Sequence, residues 1–163
     1  MRRVALSAVV LFFLTWSGFG CHGADDTQGP PEIRYGYDLC TYCSMTIDTA
    51  DHAAVARSGS GEEARFDDLS GLRSFLRTSE GLWKAWVHTK EGWIPAEEAW
   101  YLRDPEEVTP MGSGLVAFAD RGAALEVTSD SDADAPQSWS QFLDAATTNS
   151  SSMTRRPDKE GTS

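Results

Sequence analysis

The chain has 163 residues, with 14 Lys and Arg against 25 Asp and Glu, a formal net charge of −11. That length suits one domain or two very small ones. The acidic balance argues against a nucleic-acid reader, which needs a basic footprint for phosphates.

Taken from the start, residues 1–20 read as an export signal. Arg2 and Arg3 supply a positive start, Val4 to Trp16 is almost wholly apolar, and Ser17, Gly18 and Gly20 are small residues near a cut. The apolar run is shorter than the roughly 20 residues that span a bilayer; an uncleaved anchor is the alternative. Cys21 follows directly, at the place of the lipidated cysteine of a lipoprotein, although Gly18 stands where that pattern usually has Leu. A lipid such as palmitate on Cys21 would tether the protein to a membrane outside the cytoplasm, at the periplasmic face of the cell envelope. Removing residues 1–20 leaves 12 basic and 25 acidic residues, a net of −13. His22 to Glu32 is small, polar and proline-containing, and reads as a flexible linker between membrane and fold. The folded domain is expected over 33–146, and the polar tail 147–163 is expected to be disordered.

Tyr35 to Ile47 carries the chemistry. It holds Cys40, Cys43 and Met45, and thiolate and thioether are soft donors that favour Cu(I) over harder ions. Tyr42, Met45, Thr46 and Ile47 favour an extended chain. In a strand, residues two apart share a face, so Cys43 and Met45 are expected side by side, with Cys40 in the turn leading in. A disulfide between Cys40 and Cys43 is the plainer alternative, but so small a loop stabilises little.

Next come a short strand over 52–57, a turn at Ser58-Gly59-Ser60-Gly61 and another strand over 64–66. Asp67-Asp68 reads as a helix cap rather than a metal site, and Leu69, Leu72, Phe75 and Leu76 follow at helical spacing. The helix should stop near Thr78 to Gly81. Trp83 to His88 reads as a strand, a turn at Lys90-Glu91-Gly92 leads to Trp93 and Ile94, Pro95 to Ala99 reads as a short turn, and Trp100 to Leu102 as a further strand. The second half opens with Thr109-Pro110-Met111-Gly112-Ser113-Gly114 and continues into the strand Leu115 to Phe118. Ala123 to Val127 fits helix or strand, Thr128 to Pro136 reads as an acidic loop, and Trp139, Phe142 and Leu143 suit a short helix capped by Ser138 or Ser140. Met45 and Phe66-Asp67-Asp68-Leu69 run weakly parallel to Met111 and Trp139-Ser140-Gln141-Phe142. The expected fold class is α+β, two small related units packed together, about 33–102 and 103–146.

Several motifs, in order, resemble those of the NosL family. They are Asp38-x-Cys40-x-Tyr42-Cys43-x-Met45-x-Ile47, Phe66-Asp67-Asp68 before a helix, Trp93-Ile94 with Ala99-Trp100-Tyr101, and Thr109-Pro110-Met111-Gly112-x-Gly114-Leu115-x-Ala117-Phe118. The resemblance covers roughly residues 33–145. Proteins of that family are copper-binding lipoproteins associated with nitrous oxide reductase maturation. The resemblance implies ββαβ-like units and Cu(I) as the bound ion. It also implies delivery to a copper enzyme or its membrane-bound assembly apparatus. Cys43 and Met45 match the family's Cys-x-Met motif and Met111 its Pro-Met-Gly motif.

The candidate metal ligands are Cys43, Met45, Met111 and Cys40. Met111 lies in a segment too turn-rich to bury a methionine by pattern, so it is expected to be exposed and accessible. Cys40 is either a ligand or the redox partner of Cys43. His52, His88 and His22 are weaker candidates, because a lone histidine is more often a surface or packing residue. A homodimer is one way to complete an undercoordinated site. No Ser-His-Asp set, general acid–base pair or phosphate loop stands out, so catalysis is not expected. Two other readings remain: a thiol–disulfide oxidoreductase using Cys40 and Cys43, and a non-catalytic lipoprotein interaction module with a structural disulfide. A single cysteine pair falls short of a structural zinc site, which takes four donors.

Overall fold

A computed structural model describes residues 29–130 and 133–145. The expected export signal, Cys21, His22, most of the linker and the tail 147–163 lie outside the described residues. Among those described, no helix is long and apolar enough to cross a membrane.

The fold is α+β. Strands β1 (Ala54–Ser58) and β2 (Glu63–Phe66) form an antiparallel hairpin, helix α1 (Leu69–Thr78) crosses over, and β3 (Trp83–Thr89) returns beside β1. Strand β4 (Gly92–Pro95) extends the sheet to the order β2-β1-β3-β4. A 3-10 turn at Ala96–Glu98 then leads to β5 (Trp100–Arg103), which pairs antiparallel with β6 (Leu115–Phe118). Helix α2 (Arg121–Asp130) follows, and α3 (Trp139–Asp144) closes the described chain.

The two halves share one plan. In the first, β1 lies between β2 and β3. In the second, β5 lies between β6 and a single antiparallel bridge from Tyr101 to Gln137. Both partners of that bridge exchange hydrogen bonds, at 2.9 and 2.6 Å. The second unit is therefore also ββαβ, with its last strand worn down to one residue pair. Strand β5 belongs with this second unit by its pairing, so the expected division near 102–103 falls inside a strand.

This plan corrects the register of the internal repeat. The counterpart of Phe66-Asp67-Asp68 before α1 is Phe118-Ala119-Asp120 before α2, not Trp139 to Phe142. Asp120 accepts the N–H of Ala123 at 3.1 Å, as Asp68 accepts that of Ser70 at 2.8 Å. The same cap chemistry thus opens both crossover helices. Ala123 to Val127, ambiguous in sequence, is helical, and α2 runs into the acidic stretch expected to be loop.

The main core joins both units. Ile47, Val55, Phe66, Leu69, Leu72, Val87, Tyr101 and Phe142 are fully buried in it. Tyr101 stacks on Phe142 at 4.2 Å between ring centroids, and its hydroxyl donates to the Ala96 carbonyl at 2.7 Å. A buried phenol needs such a partner. Helix α3 is held by a capping box in which Ser138 N–H donates to the Gln141 side chain at 2.9 Å. A second small cluster, Leu102, Phe118 and Ala124, seats α2 on the β5–β6 pair.

Candidate metal centre

Residues 34–47 form a compact loop rather than the expected strand. Asp38 accepts from the Arg34 backbone N–H at 2.9 Å and from its guanidinium at 2.6 Å. One isolated bridge joins Leu39 and Thr46. Inside it, Cys40 N–H donates to Met45 O at 2.7 Å and Ser44 N–H donates to Cys40 O at 2.8 Å. Ser44 has a φ of 63°, in the left-handed region. That reversal breaks the two-residue alternation on which the pairing of Cys43 with Met45 rested. Cys43 turns inward and is half-buried, while Met45 is 49% exposed.

The loop lies where it does because β2 is an edge strand. An edge leaves unpaired backbone groups that another segment can take. Thr41 N–H donates to Arg65 O at 2.7 Å, and Arg65 N–H donates to Thr41 Oγ1 at 3.0 Å. The Arg65 side chain also holds Glu32 O at 2.8 Å. Docked this way, the cysteine loop meets the residue that follows β2, which is Asp67.

The sulfurs of Cys40 and Cys43 and a carboxylate oxygen of Asp67 all lie within 4.8 Å of one another. Cys43 Sγ is 3.4 Å from Asp67 Oδ2 and 3.7 Å from Oδ1. Both cysteines are free thiols. Cys40 and Asp67 are buried, so the cluster opens to solvent on the Cys43 side. Burial pushes the Cys40 thiol up to about 12, and the Asp67 carboxylate beside it adds to the rise. Backbone N–H groups of Cys43, Asp67 and Tyr42 act in the other direction and favour a thiolate there. A cation that displaces the proton would therefore meet a pocket already lined with donors to sulfur. Two thiols and a carboxylate suit a metal ion, and the thiols weight the set toward soft ones.

The tandem acids divide their work. Asp68 caps α1, as the sequence suggested for the pair, whereas Asp67 faces the thiols. The sequence favours the cap for both acids and so leaves Asp67 out of the candidate donors. The available signal was that one acid is enough for a cap, and here there are two.

The remaining sequence candidates are spread around this cluster. Met45 lines an open hollow of about 340 Å3 together with Asp67 and Pro110. Met111 is half-buried, not exposed as expected. Its sulfur would be 3.6 Å from a Cβ placed on Gly71, a point only 3.4 Å from Tyr42 Cβ. Turn chemistry alone predicted exposure; contact with α1, where the Ser70 hydroxyl lies 3.8 Å from the sulfur, covers the side chain. His52 and His88 lie elsewhere, lining a separate hollow of about 360 Å3 with Asp104 and Glu107. His52 Nε2 is 3.2 Å from Glu107 Oε1, and His88 packs edge-on against Trp93. Among the described residues, Cys40, Cys43 and Asp67 are the one group of three such side chains close enough to hold an ion.

Fold and site together define a small α+β protein carrying a cysteine–cysteine–aspartate cluster suited to a metal ion. No protein-family model matches the chain, and no curated protein matches it in sequence. Among solved structures, the chain is similar to the copper chaperone NosL from Shewanella denitrificans. The two are 17% identical, with a TM-score of 0.55, over 69% of this chain and 96% of that one. At that identity the likeness is one of fold.

Proposed function

We propose that this protein is a Cu(I) carrier rather than an enzyme. The observation that carries the reading is the free thiol pair, closed by Asp67 and open on one side, on a fold shared with a copper chaperone. Cys43 and Cys40 are the proposed principal donors. Met45 at the rim and Met111 beside α1 are the soft donors that complete or relay the ion. Loading replaces the thiol protons by copper, so protons leave as the ion enters. Delivery reverses this: an acceptor with a better set of soft donors enters on the Cys43 side and displaces the ligands one at a time. The proposed recipient is a copper enzyme or its membrane-bound assembly apparatus, with nitrous oxide reductase maturation as the setting. An export signal over 1–20 and a lipid on Cys21 would hold the carrier at the membrane and raise its effective concentration there. A second copy of the chain is a further route to filling the coordination of an exposed ion.

Geometry favours carriage over thiol–disulfide exchange. In that chemistry the attacking cysteine opens a helix, whose N-terminus lowers its pKa. Here Cys40 and Cys43 occupy a turn inside a bridged loop, and the following helix, α1, begins only at Leu69.

The test is Cu(I) competition against a chelator with the reduced protein and its Cys40→Ser, Cys43→Ser, Met45→Leu, Met111→Leu and Asp67→Asn variants. One-to-one binding that collapses with Cys43→Ser is expected. Asp67→Asn should cost about tenfold, the scale of changes next to a metal site. Equal binding by every variant would sink the carrier reading. Release of the protein from the membrane fraction by Cys21→Ser checks the lipid anchor.

A further inference from the structure

Asp68 is fully buried, and its carboxylate is shared between two units of the fold. Its Oδ1 accepts from Ser70 N–H at 2.8 Å, Ser70 Oγ at 2.7 Å and Ser113 Oγ at 2.7 Å. Its Oδ2 accepts from Met111 N–H at 3.1 Å. Ser70 belongs to the first turn of α1. Ser113 and Met111 belong to the connection between β5 and β6, more than forty residues away. A helix cap needs only one acceptor, and Ser or Asn serves nearly as well as Asp. The cap therefore does not account for a buried carboxylate with both oxygens engaged. The β5–β6 connection does.

That connection is itself tied into a knot. Thr109 Oγ1 accepts from Ser113 N–H at 2.9 Å and Gly114 N–H at 3.2 Å, while Gly112 N–H returns to Thr109 O at 2.9 Å. Fixing one N–H in so short a knot fixes the residue that carries it. We propose that Asp68 is the positioning residue for Met111: it pins the Thr109–Gly114 knot to α1 so that the thioether faces the cysteine loop. This rests on the carrier reading for its purpose, though not for its geometry. Ser70 sharpens the point. Its hydroxyl has one proton, with Asp68 at 2.7 Å and the Met111 sulfur at 3.8 Å. The shorter, charge-assisted bond takes the proton. The Met111 lone pairs then stay free for a soft ion.

Asp68→Asn tests this because it separates cap from tether. The amide has one acceptor oxygen, and the three donors at Oδ1 claim it. The NH2 group then confronts Met111 N–H, donor against donor, while α1 keeps an adequate cap. In the full-length, reduced, metal-free protein with 13C-methyl methionine, the Met111 methyl resonance should move toward that of free methionine in Asp68→Asn, with Met45 unmoved. Cu(I) affinity should fall by the same factor as in Met111→Leu, and the double variant should lose nothing more. Cys43→Ser, by contrast, should add its own loss in the Asp68→Asn background. An unmoved Met111 resonance in folded Asp68→Asn overturns the proposal. So does a double variant whose losses simply add. Should Asp68→Asn fail to fold, Ser113→Ala removes one tether from the other side, and its Met111 resonance decides by the same criterion. If Met111→Leu leaves copper affinity unchanged while Asp68→Asn still moves the methyl signal, Met111 is no donor. Its positioning by Asp68 then stands alone.

Discussion

Alkylation of the two described thiols offers a direct measure of how the site is built. The attacking species is the thiolate, so the rate follows the ionised fraction. An ordinary thiol at 9.0 is about one-tenth ionised at pH 8, whereas Cys40, at about 12, is ionised to about one part in ten thousand. The thousandfold loss of thiolate is offset in part by the greater nucleophilicity of a more basic sulfur, so labelling of Cys40 by iodoacetamide should be slower than that of a free thiol by about 30-fold or more. Burial of the residue, at 2% exposure, slows it further. Half-buried Cys43, which faces the opening, should label first. The assay is timed labelling of the reduced, metal-free protein, with each cysteine followed by peptide mass spectrometry between pH 7 and 9. The same shift links to stability. Below about 9 the thiol is protonated in both folded and unfolded chains; above it the unfolded chain ionises first, so stability declines as pH rises from about 9 toward 12. The urea midpoint should therefore fall between pH 8 and pH 10, and less so in Cys40→Ala. Cys40 labelling within tenfold of a free thiol at pH 8 would refute the burial argument.

Two substitutions probe the scaffold that holds the site. Gly114 has a φ of 65°, and a Cβ there would run into the Asp104 carbonyl. Gly114→Ala should cost about 1–3 kcal/mol from backbone strain, before the clash is counted, read as a melting temperature lower by several degrees in circular dichroism. Phe142 is fully buried against Tyr101 and Trp139, with the Arg73 guanidinium 5.2 Å from its ring. Phe142→Ala should cost about 3–5 kcal/mol, measured by urea denaturation. A loss under 1 kcal/mol would show that α3 is not needed to hold the two units together.

Much of the local architecture was legible in the residues because it depends on neighbours in sequence. Strand β6 at Leu115–Phe118 matches the apolar run, and α1 follows the spacing of Leu69 and Leu72 after an acidic cap. Helix α3 follows the spacing of Trp139, Phe142 and Leu143, and of the two serines offered as its cap, Ser138 is the one that serves. Each signal needs only the periodicity of its own element. The α+β class follows from adding these elements together.

What failed or stayed hidden depended on contacts between distant segments. A strand through Tyr42 to Ile47 is reasonable by propensity, but Ser44 takes a left-handed φ that breaks the extended chain between Cys43 and Met45. Nothing in the loop itself shows that it will dock on the open edge of β2, so nothing shows that Asp67 will close the thiol pair. The repeat was visible, yet its register was not, since Gln137 contributes a single bridge instead of a strand. The sequence alone determined that soft donors sit on one segment of a small α+β chain, because composition and short-range pattern suffice for that. Only the tertiary structure decided which acid joins the cysteines and which buried carboxylate ties Met111 to α1. Those choices rest on an edge strand seeking partners and a buried charge seeking donors, and both are satisfied across the fold rather than along the chain.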